Sequence, residues 1–296
     1  MQPTNFGRVG RIPTRPCPGL STNGSNESYL ELPGGATLAY RRREGCTPGV
    51  MFLGGFMSDM SGRKALALEA YCRDNRRAFV AFDYRGHGLS SGRLEELGVD
   101  SWIEDSLMVL DTLTDGAQIL VGSSMGAWLL TLCLQRRPQR IAAALGLGSA
   151  PDFIDAMIHT LDAAQMSSLA RHGYCELPTR YADRPYRLTQ RLIDSALAHN
   201  VLGQPIDFPG PVRLLHGLAD EDVPWPRSIA LAGALRSPDL EVRLIAGGDH
   251  RLSSDEDLRR ICATVDELVG LLRRSHRTEA LQKAGDAQLD QTLAGE

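Results

Sequence analysis

The sequence predicts an α/β fold: a mostly parallel eight-stranded sheet with helices on both faces and one helical cap insertion. Three observations carry this. Short apolar runs alternate along the chain with segments of helical periodicity, the pattern of strands joined by crossover helices. The interior runs are apolar without alternation, as strands covered on both faces must be. The alternation breaks once, between Ala150 and Pro211, where 60 residues carry no strand-like run.

Taken in order, Tyr29–Leu32 and Ala36–Tyr40 flank Pro33-Gly34-Gly35 and predict an antiparallel hairpin at the sheet edge. Val50–Leu53, Ala78–Phe82, Gln118–Val121, Ala142–Leu147, Val212–Leu215 and Val242–Ile245 are the remaining strands. Helices are expected at about Gly62–Arg73, Ser101–Leu113, Met125–Gln135 and Arg227–Leu235. A last helix follows from Leu258, Ile261, Cys262, Val265, Leu268, Val269 and Leu272, which recur at three- and four-residue steps. Ser253 and Glu256 suit a capping box at its start. The domain plan is therefore a disordered extension at 1–27, a catalytic-size domain at 28–274 with its insertion at about 151–210, and a mobile tail at 275–296. A stretch as long as 151–210 between two sheet strands is read as a subdomain rather than a loop.

Composition narrows the partners. A net charge of -4 gives no electrostatic reason to bind nucleic acid, so a small-molecule or acylated-protein substrate is the expectation. Residues 119–134 are free of charge, but a Gly-Ser-Ser-Met-Gly break divides them and the run is short of a membrane span. The six cysteines show no CxxC pair, which argues against a zinc site and reads as reduced thiols in a cytosol-like compartment. No metal or cofactor is expected. No apolar signal-peptide core precedes residue 25, and Pro13, Pro16 and Pro18 interrupt any amphipathic helix around Arg8, Arg11 and Arg15. The expected location is cytoplasmic, with the mitochondrial matrix as the alternative.

The chemistry centres on Gly122-Ser123-Ser124-Met125-Gly126, a G-x-S-x-G between an apolar strand and a helix. The turn at such a motif is so tight that only small residues flank the nucleophile, and its central serine projects above the sheet. Ser124 is the expected nucleophile and Ser123 a packing residue. A hydroxyl needs a base within hydrogen-bond reach and a group that orients the base. The carboxylate should lie at a later strand end, and Leu215-His216-Gly217-Leu218-Ala219-Asp220-Glu221-Asp222 supplies it. Asp220 is nearest the strand; Asp222 is its rival. The base comes last in the order Ser…Asp…His. Of the two histidines after Asp220, His276 lies in the polar tail, whereas His250 follows the final strand in Gly247-Gly248-Asp249-His250. His87 and His216 are assigned to structure. Two backbone N–H donors for an oxyanion are expected at Met125, after the nucleophile, and at Phe56, in Gly54-Gly55-Phe56 where two glycines permit close approach.

Asp83-Tyr84-Arg85-Gly86-His87-Gly88-Leu89-Ser90 resembles the D-x-R-G-x-G-x-S turn of the α/β-hydrolase family. Gly55-Phe56-Met57-Ser58-Asp59-Met60, Lys64-Ala65-Leu66-Ala67, the Ser124 motif through Trp128, Leu214–Trp225 and Asp249-His250-Arg251 together resemble its palmitoyl-protein thioesterase branch, mitochondrial in animals. The likeness spans roughly 28–272. It implies Ser124, Asp220 and His250 as a triad acting on acyl thioesters or carboxylic esters, with acyl glucuronides also associated with that branch. Ala127 stands where family members often carry a second glycine. Ser-dependent perhydrolases and carbon–carbon-bond hydrolases of the same fold share the triad, and a non-catalytic ligand-binding member is the alternative outside enzymes. Nothing in the sequence fixes the oligomeric state.

Overall fold

In the computed structural model, residues 27–179 and 185–293 are described, with side chains up to residue 275. The chain opens with β1 (Ser28–Glu31) and β2 (Thr37–Arg43), paired antiparallel. Their turn places Gly34 and Gly35 at φ of 92° and 85°, a conformation that costs a residue without Cβ little. There follow β3 (Cys46–Leu53), α1 (Arg63–Asp74), β4 (Arg77–Phe82), α2 (Val99–Leu113), β5 (Gln118–Ser123), α3 (Met125–Arg136) and β6 (Ile141–Leu147).

Residues 148–211 then carry α4 (Phe153–Ile158), α5 (Ala163–His172), β7 (Tyr174–Leu177), β8 (Tyr186–Thr189), α6 (Gln190–Leu197) and the short β9 (Ile206–Asp207). The chain returns through β10 (Val212–Gly217), α7 (Pro226–Ala234), β11 (Leu235–Arg236), β12 (Leu240–Ile245) and α8 (Asp255–Leu293). The eight-stranded sheet runs β1-β2-β4-β3-β5-β6-β10-β12. β2 joins β4 antiparallel, and from β4 onward every pairing is parallel.

Each interior strand feeds two apolar layers. Met51 and Leu53 of β3 and Leu120 of β5 point into a layer with Trp102 and Leu110 of α2 and Trp128 of α3. Val50, Phe52, Ile119 and Val121, their neighbours in sequence, point into the other, with Leu68 of α1 and Ile261, Val265 and Leu268 of α8. A strand serving both layers must be apolar at every position, which is why these runs do not alternate. Fully burying one such side chain is worth roughly 1.5–3 kcal/mol, so neither face tolerates a polar residue cheaply.

Four local features differ from the sequence reading. The inserted region contains a β7–β8 hairpin, Tyr174 pairing with Thr189 and Leu177 with Tyr186; its strands are four residues long and half-exposed, too short to register as apolar runs. The cap of α8 is Ser254 with Asp257, not Ser253 with Glu256: each side chain meets the other's backbone N–H at 3.2 Å. α8 also continues to Leu293, past Ser275 where the apolar stripe ends. Finally, Cys72, Cys133, Cys175 and Cys262 are free thiols, but Cys46 is disulfide-bonded; it sits only half-buried at the start of β3, whereas Cys72, Cys133 and Cys175 are buried. The extension expected at 1–27 lies outside the described residues up to Asn26. No helix among the described residues is long and apolar enough to cross a membrane.

Candidate active site

The parallel strands end on one side of the sheet, and the candidate residues rise from those ends. Loop 54–60 leaves β3, Ser124 leaves β5, Gly148 leaves β6, Asp220 follows β10 and His250 follows β12. Crevices at the carboxyl ends of parallel strands are where α/β sheets place their ligands.

Ser124 bridges β5 and α3 with φ 54° and ψ −117°, a left-handed backbone rare for a residue with a side chain and costing about 1–3 kcal/mol. The surroundings impose it. A Cβ at Gly122 would lie 2.4 Å from the Gly126 carbonyl oxygen, and one at Gly126 would lie 2.1 Å from that of Leu53. The Ser124 N–H donates to Leu147 O at 2.8 Å, tying the turn to β6. Ser123 is buried in the strand.

The structure brings Ser124, His250 and Asp220 into one hydrogen-bonded chain. His250 Nε2 lies 3.0 Å from Ser124 Oγ, and His250 Nδ1 lies 2.8 Å from Asp220 Oδ2. Because Nδ1 faces a carboxylate it carries the hydrogen, which leaves Nε2 free to accept the serine proton. The Asp220 side chain is fully buried. Its Oδ1 accepts the Asp222 and Val223 N–H groups at 3.0 and 2.7 Å, so Asp222 contributes its backbone to the chain's anchor while its own residue is exposed. Burial pushes the Asp220 carboxyl up, but hydrogen bonds from His216, His250 and the Val223 amide outweigh it and hold the group well below the usual carboxylate range. His216, assigned to structure from the sequence, in fact reaches Asp220 Oδ2 through Nε2 at 3.0 Å.

Asp220, Asp222 and His250 also bring ligand-type atoms within 4.8 Å of one another. Both His250 nitrogens are already engaged, by Asp220 and by Ser124, so the donor set suits proton transfer better than metal binding.

Met125 opens α3, so its N–H has no partner within the helix. The loop carrying Phe56 presses on the elbow: a Cβ at Gly55 would be 3.5 Å from Ser124 Cβ. That loop is fastened at its far end by Asp83, whose Oδ1 accepts Met60 N–H at 2.7 Å and whose Oδ2 accepts Leu89 N–H at 2.9 Å. Thus the Asp83–Ser90 turn works as a clamp rather than as a reacting group. Behind His250, Lys64 Nζ donates to the Arg251 carbonyl, and burial lowers this ammonium to about 8. Gly148, at φ 52°, would carry a Cβ 3.5 Å from His250 Nδ1 and 3.6 Å from Asp220 Oδ2; its need to be glycine was not readable from any motif.

An aromatic wall joins the loop after β3 to the inserted region. The Phe56 ring lies 5.8 Å from Trp102, 6.0 Å from His87, 6.1 Å from Phe153 and 5.7 Å from Tyr186. Phe153 in turn meets Trp128 at 5.8 Å. Phe153 and Tyr186 belong to the inserted region, so it docks on the loop after β3 and on α3 through rings. Burial lowers His87 to about 4, which keeps its imidazole neutral within this wall.

A family described as the alpha/beta hydrolase fold matches residues 50–175. The mitochondrial palmitoyl-protein thioesterase of Rattus norvegicus is 39% identical over 246 residues, 83% of this chain and 83% of that protein. Among solved structures, alpha/beta hydrolase domain-containing protein 10 from mouse superposes with a TM-score of 0.78 at 38% identity, covering 84% of this chain and all of the other. A hydrolase from Agrobacterium vitis S4 gives the same TM-score at 30% identity, covering 86% and 99%.

Proposed function

Because the chain belongs to the alpha/beta hydrolase family and is a hydrolytic enzyme, we propose that Ser124, His250 and Asp220 form its catalytic triad. The observation that carries this is the continuous hydrogen-bonded chain from the serine hydroxyl to a buried carboxylate.

In the proposed reaction, Ser124 Oγ attacks the acyl carbonyl as its proton passes to His250 Nε2. The Phe56 and Met125 N–H groups receive the developing oxyanion; each such donor is worth roughly 3–4 kcal/mol in the transition state. The carbon–sulfur or carbon–oxygen bond breaks, and the imidazolium returns the proton to the departing thiol or alcohol. Water then attacks the acyl-enzyme, giving its proton to His250. The carboxylic acid leaves as Ser124 regains its hydrogen. Asp220 keeps the imidazole in the required tautomer throughout and stays ionised.

The substrate class we assign is an acyl thioester, on a protein or a small molecule, with carboxylic esters as further substrates. Two things support it: relatives named palmitoyl-protein thioesterase, and the rings of Phe153 and Tyr186 around Phe56, one of the two proposed oxyanion donors, apolar surroundings suited to an acyl chain. The same relatives bear mitochondrial names, which favours the mitochondrial alternative over the cytoplasm; subcellular fractionation with an antibody to the chain distinguishes them. The test of the chemistry is covalent. A fluorophosphonate probe should add one label, and Ser124→Ala should abolish both labelling and hydrolysis of a palmitoyl thioester. Activity that survives in Ser124→Ala rejects the triad.

A further inference from the structure

We infer that His216 is a positioning residue for the reaction, a second imidazole that shares Oδ2 of Asp220 with His250. The inference rests on the triad reading above and deepens it.

His216 lies on β10, four residues before Asp220, with no exposed surface. Its Nε2 is 2.9 Å from the Val223 carbonyl oxygen and 3.0 Å from Asp220 Oδ2. Both neighbours only accept, so Nε2 carries a hydrogen; it donates to the Val223 carbonyl and lies in close contact with the carboxylate. Nδ1 is then the acceptor for the hydroxyl of Ser228, 2.7 Å away and itself fully buried on α7. Three partners thereby fix the orientation and the tautomer of the ring.

The carboxylate shows what this arrangement does. Asp220 Oδ1 takes the Asp222 and Val223 N–H groups, and Oδ2 takes that of His250 with His216 Nε2 3.0 Å away. An ionised carboxylate offers about four acceptor sites, so His216 completes the set. Without it, Oδ2 faces His250 alone in a site closed to water, and the carboxylate holds a proton more readily. An acid that is less fully ionised and less firmly held supports the forming imidazolium less well, and that support is the acid's part in the triad. The same N–H that meets the Val223 carbonyl at 2.9 Å stands 3.0 Å from the carboxylate that orients the base, so the ring's place in the fold and its bearing on the triad are one arrangement.

The test compares Ser124→Ala, His216→Leu, His216→Gln and Ser228→Ala by kcat, KM, thermal melting and the low-field proton resonance of His250 Nδ1–H. His216→Leu is expected to lower kcat about tenfold to a hundredfold, the range for a hydrogen bond to a charged group. KM should stay within about twofold, and the resonance should move upfield. His216→Gln keeps an N–H at the same reach and should recover most of kcat, while Ser228→Ala, which frees only the Nδ1 side, should fall between. Wild-type kcat and an unmoved resonance in folded His216→Leu overturn the proposal, as does an equal loss in His216→Gln. If His216→Leu does not fold, wild-type kcat with an unmoved resonance in Ser228→Ala overturns it instead. Failure of the triad reading itself shows differently, as activity remaining in Ser124→Ala.

Discussion

Replacing Gly122 with alanine adds one methyl group two residues before Ser124, and the structure says where it would go. The new Cβ would sit 2.4 Å from Gly126 O, 2.6 Å from Gly126 C and 2.7 Å from Ala127 Cα. All three atoms are backbone of the first turn of α3, so no rotamer change relieves the contact. Ordinary carbon contacts lie near 3.5–4.0 Å; the helix start must therefore back away from the strand by on the order of 1 Å. Ser124 and the Met125 N–H ride on that turn, and the 3.0 Å separation between Ser124 Oγ and His250 Nε2 has little slack before the hydrogen bond is lost. A misplacement of about 1 Å costs on the order of a hundredfold in rate. We expect Gly122→Ala to lower kcat/KM on a thioester by about that factor and to slow fluorophosphonate labelling in parallel. It should still melt cooperatively, because the two apolar layers are untouched. Wild-type labelling and turnover in a folded Gly122→Ala protein would refute the claim that this contact holds the serine in place.

Three further outcomes follow from the same geometry. Asp220→Asn should reduce kcat by about 10⁴-fold through the wrong imidazole tautomer, whereas Asp222→Asn should stay within a few-fold, since Asp222 meets the acid through its backbone N–H; steady-state kinetics on both separates the two carboxylates. Trp128→Ala removes a fully buried indole whose Nε1 donates to the His199 carbonyl at 3.0 Å, and chemical denaturation should show a loss of about 3–5 kcal/mol. Burial holds His87 at about 4 when folded, against 6.5. The unfolded chain thus binds more protons between these values, and stability is present above about pH 6.5 and declines as pH falls toward 4. Urea melts from pH 4.5 to 7 should show this slope, of order 3 kcal/mol in total, and His87→Phe, which suits the surrounding rings, should flatten it.

What the sequence reveals of this molecule depends on how local each signal is. The strands are legible because a strand serving two apolar layers cannot hide: Val50 through Leu53 face both and are all apolar. Ser124 is legible because its motif is contiguous, although only Gly122 is forced by contacts within five residues of chain and Gly126 is forced by the distant Leu53 carbonyl. His250 and Asp220 are legible only through their order along the chain and their nearness to strand ends, since nothing local brings them together. What stays hidden is made by distance. The Phe56 and Tyr186 rings meet across the sheet loop and the inserted hairpin, and no periodicity foretells it. His216 and Asp220 are four apart in a turn that is not helical, so the spacing carries no pattern of its own. At the start of α8 the sequence suits Ser253 with Glu256, and only the contact of the Asp257 carboxylate with Ser254 shows the register that forms.

The hydrogen bond from Ser124 to His250 joins residues 126 positions apart, while His250 and Asp220 are separated by 30. On the proposed reading, this spacing gives the enzyme a built-in order of assembly. The serine, its elbow and the loop facing it belong to strands β3 to β6, whose pairings close early in the chain. The base arrives only when the outermost strand, β12, has docked beside β10. β12 follows β10 closely, but β10 itself must first reach β6 across the inserted region, Val212 pairing with Ala144. Such a long-range pairing forms late and slowly, and a collapsed intermediate lacking that edge would hold a serine with nothing to take its proton. Such a species could neither turn over substrate nor capture a probe at speed. Reactivity during refolding therefore reports the arrival of the last strand rather than the collapse of the core.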